Sequence, residues 1–309
     1  MKTENHILER GIDPSKPSKR VWEVDFLRGI PVLLMILYHF CFDVTQVKEV
    51  CINTYTMYAT YPFLKDFVFF VNGVVFTSMM ENILIPVFGS IFVFVCGLST
   101  ALSHNNLRRS LLLSLVAGLI SLFTYLGYLV FHVEMFIGFG VIHLMASQIL
   151  FYSLLELLFK KVFKRKVPAV LCLLIGILLL FSGLLLRTGY KNANGNLITW
   201  PTKVVGGGPV HEFYSAPFAF FFSAIGKYGN TVDWWPILPF GGVLFIGIAI
   251  GKALYEDRKE SLFPEAKIRK VLTPISFLGR HTLEVYIIHQ PIIILVMGIV
   301  LLSLGFRFW

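Results

Sequence analysis

The sequence predicts an all-α polytopic membrane protein with about seven transmembrane helices plus a re-entrant or interfacial segment. Three observations predict it. Mean hydropathy is +0.74, with 56% hydrophobic and 15% charged residues, outside the range of soluble globular chains. Apolar runs of about twenty residues recur, the length that crosses a hydrocarbon core about 30 Å thick. Basic residues concentrate in alternate connections: of 27 Lys and Arg, twenty fall on the side that carries the N-terminus. That bias places the N-terminus in the cytoplasm and, with seven spans, the C-terminus outside. The net charge of +9 is thereby explained as topology, so the bilayer is the expected partner and nucleic acid is not.

Residues 1–24, with Pro14 and Pro17 among Lys16, Lys19 and Arg20, read as a cytoplasmic tail ahead of a single transmembrane domain over 25–309. Helix 26–45 reads as an uncleaved signal anchor, because no small-residue cleavage site follows it. Its Pro31 either sits in the first turn or interrupts the helix. The run Phe67–Phe76 is short and broken by Asn72-Gly73, and a crossing there would put the later basic loops on the wrong side. It is therefore predicted to be re-entrant or interfacial. Further helices are predicted at 82–103, 110–130, 136–158, 168–187, 236–255 and 275–305. A polar stretch at 188–235 holds turn signals at Asn194-Gly195 and Gly206–Pro209 and an apolar piece, Phe213–Ile225. Asp233-Trp234-Trp235 reads as an interfacial anchor. Gly247 and Gly251 form a small-residue face suited to close helix packing.

The first helix holds the residues of greatest interest. At 100° per residue, Arg28, Val32, Met35, His39 and Asp43 share one stripe, with Asp25 a turn below. His39 lies eleven residues past Arg28, about 16 Å further along a helix. With Arg28 at the cytoplasmic interface, His39 falls near mid-depth, where an ionisable group costs several kcal/mol unless protein or water faces it. Two readings stand: a neutral imidazole that only packs between helices, or a general base. Asp43, one turn away, would fix its tautomer and favours the second.

A second constellation is Gly279-Arg-His-Thr-Leu-Glu-Val-Tyr-Ile-Ile-His289-Gln290-Pro291. His289 and Gln290 lie deeper than Arg280 and offer either a polar wall facing His39 or interhelical packing. Arg280 and Glu284 are four apart and suited to pair. His143, after Gly138 and Gly140, either lines the same cavity or packs. Arg28, Arg108, Arg109, Lys252 and Arg280 would ring the cytoplasmic mouth, as topology determinants or as ligands for an anionic, phosphate-bearing donor. Four cysteines lack metal-ligand spacing, and no His/Asp/Glu set has the spacing of a zinc site, so no metal is expected.

Trp22-Glu-Val-Asp25-Phe-Leu-Arg28-Gly29-Ile, followed by a histidine eleven residues after the arginine, resembles the opening of membrane acyltransferases. These include the acyltransferase-3 proteins and the heparan-alpha-glucosaminide N-acetyltransferase catalytic-domain family. The second is the closer resemblance, in its short bacterial form. Phe88-Gly89 through Gly97-Leu-Ser99, Gly138 through His143-Leu, Asp233 through Pro239 and Gly279 through Pro291 also carry it, and it extends over about residues 20–300. The resemblance implies a plasma-membrane enzyme that takes acetyl or another acyl group from cytoplasmic acyl-CoA. The group passes to a sugar amine, a hydroxyl or another small acceptor at or beyond the other face.

Carried over by position, the resemblance matches His39 to the acyltransferase-3 histidine, Arg28 to its arginine and His289 to the closing-motif histidine. The expected site therefore has His39, Asp43 and His289 as catalytic residues. Asp25, Arg28, Arg108, Arg109 and Arg280 stand at the donor end, with His143 and Gln290 lining the substrate. The eukaryotic relatives carry asparagine at the position of His39 and a reactive histidine in the next outer loop. Residues 46–81 hold no histidine, which favours His39 as base over an acyl-histidine route. Two other classes stay open at this point: a solute or proton-coupled transporter, which midplane His and Asp would suit, and a non-catalytic membrane partner. The oligomeric state, homo-oligomer included, is open.

Overall fold

A computed structural model describes residues 21–77, 79–131, 136–187, 233–256, 261–263 and 271–308. The tail before 21, the turn with His132 and Glu134, and the stretch with His211, Glu212 and Phe213–Ile225 lie outside the described residues. The helices are α1 (Trp22–Thr45), α2 (Pro62–Val75), α3 (Ile85–Leu102), α4 (Asn106–Phe131), α5 (Val141–Leu158), α6 (Ala169–Arg187), α7 (Ile237–Tyr255), α8 (Thr273–Arg280) and α9 (Thr282–Ser303). Short helices at Val47–Val50 and Thr54–Thr60 follow α1, and π-helical turns precede α3 and extend α5. Among the described residues there is no strand, only an isolated bridge between Cys51 and Phe308.

Six of these helices, α1, α3, α4, α5 with its extension, α7 and α9, are long and apolar enough to cross a membrane; Ala169–Gly183 of α6 is a shorter apolar helix. The protein is therefore an all-α polytopic membrane protein. The α2 helix has 14 residues, about 21 Å at 1.5 Å per residue, short of a hydrocarbon core of about 30 Å. It buries Val68, Val71 and Val75 against Tyr38, Cys41 and Phe42 of α1.

In lipid, helices gain little from excluding water and associate through close packing of small residues. Here α7 packs along both α3 and α6. A Cβ on Gly247 or Gly251 would run into the Phe94 or Leu98 carbonyl of α3, and one on Gly242 into the Gly176 carbonyl of α6. Leu244, Phe245 and Ile248 between these contacts are fully buried. Trp235 is no interfacial anchor: it packs into the core against Phe240, in space that Gly89 leaves open.

The other tight crossing joins α1 to α8. A Cβ on Gly29 would meet the Ile275 carbonyl, and one on Gly279 the Asp25 carbonyl. The expected single helix 275–305 is two. His281 leaves helical geometry at φ −105°, ψ 30°, and the Gly279 carbonyl accepts from Thr282 Oγ1 at 2.8 Å and Arg28 Nη1 at 3.1 Å. A carbonyl engaged by a side chain of another helix is no longer available to continue its own ladder. Pro31 is the tenth residue of α1, well inside it, so its missing N–H falls in the helix interior rather than the first turn.

Candidate functional site

The α1 stripe meets α9 through His39 and His289. His39 Nδ1 lies 2.7 Å from His289 Nε2, with the rings stacked at 4.9 Å between centroids. The other nitrogen of His289, Nδ1, faces the Tyr286 carbonyl at 2.7 Å and the Val285 carbonyl at 3.2 Å. These contacts assign the protons. A carbonyl only accepts, so His289 Nδ1 carries hydrogen and its Nε2 is a bare acceptor. His39 must then donate from Nδ1, which leaves the lone pair on its Nε2. The pair is one imidazole held in a single tautomer by another, an arrangement that can orient a base where many sites use a carboxylate.

Asp43 is engaged elsewhere: its Oδ2 accepts from Gln290 Nε2 at 2.8 Å. Helical arithmetic put Asp43 one turn from His39, but its hydrogen-bond partner comes from α9. Gln290 Oε1 is buried with no hydrogen-bond partner. His289 is buried, whereas His39, Asp43 and Gln290 are half-buried.

Two further residues join this end of the bundle. Asp233 Oδ2 accepts from the Val141 N–H at the start of α5 and from the Tyr286 hydroxyl, both at 3.2 Å. Gly140 permits this approach, since a Cβ there would strike the Asp233 carboxylate. Through Tyr286, whose ring lies 5.7 Å from that of His289, Asp233 braces the α9 backbone that holds His289. Sequence reasoning gave Tyr286 no role and read Asp233 only as part of an interfacial anchor. The one signal that pointed to them was their membership of quoted motifs, Asp233–Pro239 and Gly279–Pro291.

His143 is used up locally. Its Nδ1 accepts the Gly140 N–H at 3.2 Å, and its Nε2 lies 2.9 Å from Ser121 Oγ, which itself donates to the Ile137 carbonyl at 2.7 Å. Both ring nitrogens thus serve the N-terminus of α5 and its contact with α4, a capping role.

The arginines separate into two kinds. Arg28 donates to the Gly279 carbonyl and to Ser99 Oγ, and stands 3.9 Å from Asp25, tying α1 to α8 and α3. Arg109 reaches Thr100 Oγ1 at 3.2 Å and Cys96 Sγ at 3.3 Å. Both guanidiniums are spent largely on neighbouring helices. Arg280 is exposed and its Nε lies 3.5 Å from Asp25 Oδ2; Glu284 is not its ion-pair partner. Arg108 is exposed at the start of α4. Lys252 is buried against Glu256 at 2.7 Å.

Glu23, at the start of α1, accepts from the Leu262 N–H at 2.6 Å and Ser261 Oγ at 2.7 Å, which fastens α1 to the segment after α7. A groove of about 420 Å³ between α3 and α7 is lined by Ile83, Pro86, Val87, Ser90, Ile91, Phe94 and Val243. It holds none of the titratable groups above.

Comparison with known proteins matches residues 20–291 to the family described as Heparan-alpha-glucosaminide N-acetyltransferase, catalytic. No curated protein and no solved structure matches the chain. The match covers both halves of the histidine pair, the Arg28 knot and Asp233. Together with six apolar helices of spanning length, it gives a multi-pass protein of the membrane acetyltransferase type. The chain belongs to the heparan-alpha-glucosaminide N-acetyltransferase catalytic-domain family.

Proposed function

We propose that the protein transfers an acetyl or other acyl group from acyl-CoA, arriving from the cytoplasm, to an amine or hydroxyl acceptor at or beyond the opposite face. A sugar is the acceptor that the family's name favours. In this reading it is a multi-pass protein of the plasma membrane, with its N-terminus inside and its C-terminus outside. The observation that carries the reading is the bare Nε2 of His39, fixed by the 2.7 Å contact with His289 and the commitment of His289 to the Tyr286 carbonyl.

His39 Nε2 takes the proton from the acceptor N–H or O–H as the freed lone pair attacks the thioester carbonyl carbon. The tetrahedral intermediate collapses by breaking the carbon–sulfur bond. The departing thiolate receives the proton that His39 holds, and the imidazole returns to its starting state. His289 keeps the base in its tautomer and shares the positive charge while it lasts. At the other end of the stripe, about 16 Å away along α1, the exposed Arg280 is the guanidinium best placed to meet the donor's phosphates. Arg28 and Asp25 hold the α1–α8 crossing beneath it, and exposed Arg108 supplies a second positive charge on that side.

The test is radiolabelled acetyl-CoA supplied to proteoliposomes of the purified protein, with a panel of amino sugars and polyols. Acyl-CoA-dependent labelling of an acceptor, or slow acetyl-CoA hydrolysis without one, is the expected result. Solute flux with no acyl donor, and no consumption of acetyl-CoA, would favour the transporter class instead.

A further inference from the structure

We propose that the turn joining α5 to α6 is a binding surface for anionic phospholipid headgroups, built from Lys160, Lys161, Lys164 and Arg165. This goes beyond acyl transfer and holds whether or not that reaction occurs. The first support is charge without compensation. Five of the seven residues from Lys160 to Lys166 are basic, and the sequence has no acid between Glu156 and Glu212. All five basic residues are exposed. Lys166 lies 3.5 Å from Glu256 Oε1, but Lys252 already holds that same oxygen at 2.7 Å. The other four cations have no ion-pair partner among the described residues.

The second support is depth. Together α5 and its π-helical extension run Val141–Phe163, 23 residues of spanning character. That is about 34 Å at 1.5 Å per residue, just beyond a hydrocarbon core about 30 Å thick. The turn therefore begins where the core ends, at the level of headgroup phosphates. Val162 and Phe163 stand exposed between the cations, and the Phe163 ring lies 4.9 Å from that of Phe159. Apolar side chains set among lysines fit a boundary where acyl chains give way to phosphate.

The third support is a fixed backbone. The Lys164 and Arg165 N–H groups both bond back to the Phe159 carbonyl, and Val167, just after them, is buried in the core. Lys164 takes the left-handed conformation, φ 53° and ψ 28°, at the helix-terminal position where glycine is the usual choice. Membrane topology asks only for positive charge on one side. It asks neither for a pinned turn nor for a lysine in a conformation unfavourable to side chains, whereas a partner for that charge accounts for both. The turn also stands apart from the proposed donor end: α5 packs chiefly on α4, while Arg280 belongs to α8, which packs on α1.

The test reconstitutes the full chain in nanodiscs of mixed phosphatidylcholine and phosphatidylglycerol. Native mass spectrometry then reads which lipids the released protein retains. Wild type is expected to retain phosphatidylglycerol in preference. Lys160→Gln, Lys161→Gln, Lys164→Gln and Arg165→Gln combined should weaken that preference at least about tenfold, since each cation near an anionic surface contributes about fivefold. Molar salt should weaken it likewise. Lys48→Gln, Lys65→Gln and Arg307→Gln combined, exposed basic positions outside the turn, should leave it intact. Lys164→Gly should weaken the preference about fivefold yet raise the melting temperature in phosphatidylcholine alone, because it removes the charge and relieves the backbone.

Wild-type preference in the folded four-site variant, or an equal loss in the three-site control, overturns the proposal. If the four-site variant does not fold, Lys164→Gly and Lys160→Gln decide, and wild-type preference in both overturns it. Excess acetyl-CoA forms a separate arm. Phosphatidylglycerol is expected to stay bound; its displacement would assign the turn to the donor's phosphates and overturn the lipid assignment.

Discussion

His289 has two nitrogens with different duties, and that division sets what its substitutions do. Removing it leaves the His39 tautomer undetermined and its charge unshared, so His289→Ala should lower turnover by about 10- to 100-fold, the range of a charge-assisted hydrogen bond. Steady-state rates of the variant reconstituted beside wild type check this. His143 should behave otherwise. Its ring caps the start of α5 and touches Ser121, so His143→Ala should cost about 1 kcal/mol of stability, as a lost cap does. The rate per folded molecule should stay near wild type, read by pairing a melting curve with an active-fraction assay. At this scale the sequence disclosed which polar residues lie within the apolar helices, because a histidine in an apolar run is conspicuous. It did not disclose their partners. Asp43 and His39 are one turn apart on one helix, yet the hydrogen bond of Asp43 goes to Gln290 of α9, and only the packing of α9 on α1 shows that.

Helices α1, α8 and α9 form the part of the frame on which the histidine pair depends. The α1–α8 crossing holds Asp25, Arg28 and Gly279 in mutual contact, and from there both histidines are reached by climbing similar lengths of α1 and α9. A side chain at Gly279 would have to displace the Asp25 backbone rather than a flexible neighbour. Gly279→Leu should therefore cost at least about 1–3 kcal/mol, the usual range for overpacking, and should lower both melting temperature and activity. Gly298, with open space around its Cβ position, provides the control, and Gly298→Ala should leave both unchanged. The apolar runs made the helices themselves legible, with ends displaced by a few residues where side chains intervene. The start of α1 at Trp22 owes its place to Glu23 and Trp22 gripping residues 261–263, a contact more than 230 residues distant in sequence. The break at His281 was equally hidden, because its cause, Arg28 on the Gly279 carbonyl, comes from another helix.

For the molecule as a whole, composition and the distribution of basic residues carried most of the information. A chain this apolar, with its Lys and Arg gathered in alternate connections, leaves little choice but a helical bundle across a membrane. The proposed orientation has a direct check. A cysteine at Lys164, in the basic turn after α5, should be labelled by a membrane-impermeant maleimide only after the inner face is opened. One at Arg307, beyond α9, should be labelled in intact cells. The reverse pattern would invert the proposed donor and acceptor sides while leaving the histidine pair untouched. What composition could not supply was the closing of the far end by Asn53, which receives the Arg307 N–H and donates to the Gly305 carbonyl. Nor could it supply Asp233 as the brace of the α9 backbone, since a Trp-rich stretch beside an apolar run looks the same whether it lies at the interface or in the core.

The account stands or falls on His39 as the proton acceptor. The most direct measurement is the single-turnover rate of acetyl transfer or acetyl-CoA hydrolysis by His39→Ala against wild type in nanodiscs, with matched melting behaviour. General-base assistance of this kind is worth about 10²- to 10⁴-fold, and the account predicts a loss in that range with acetyl-CoA binding preserved. A folded His39→Ala that turns over at the wild-type rate would contradict it.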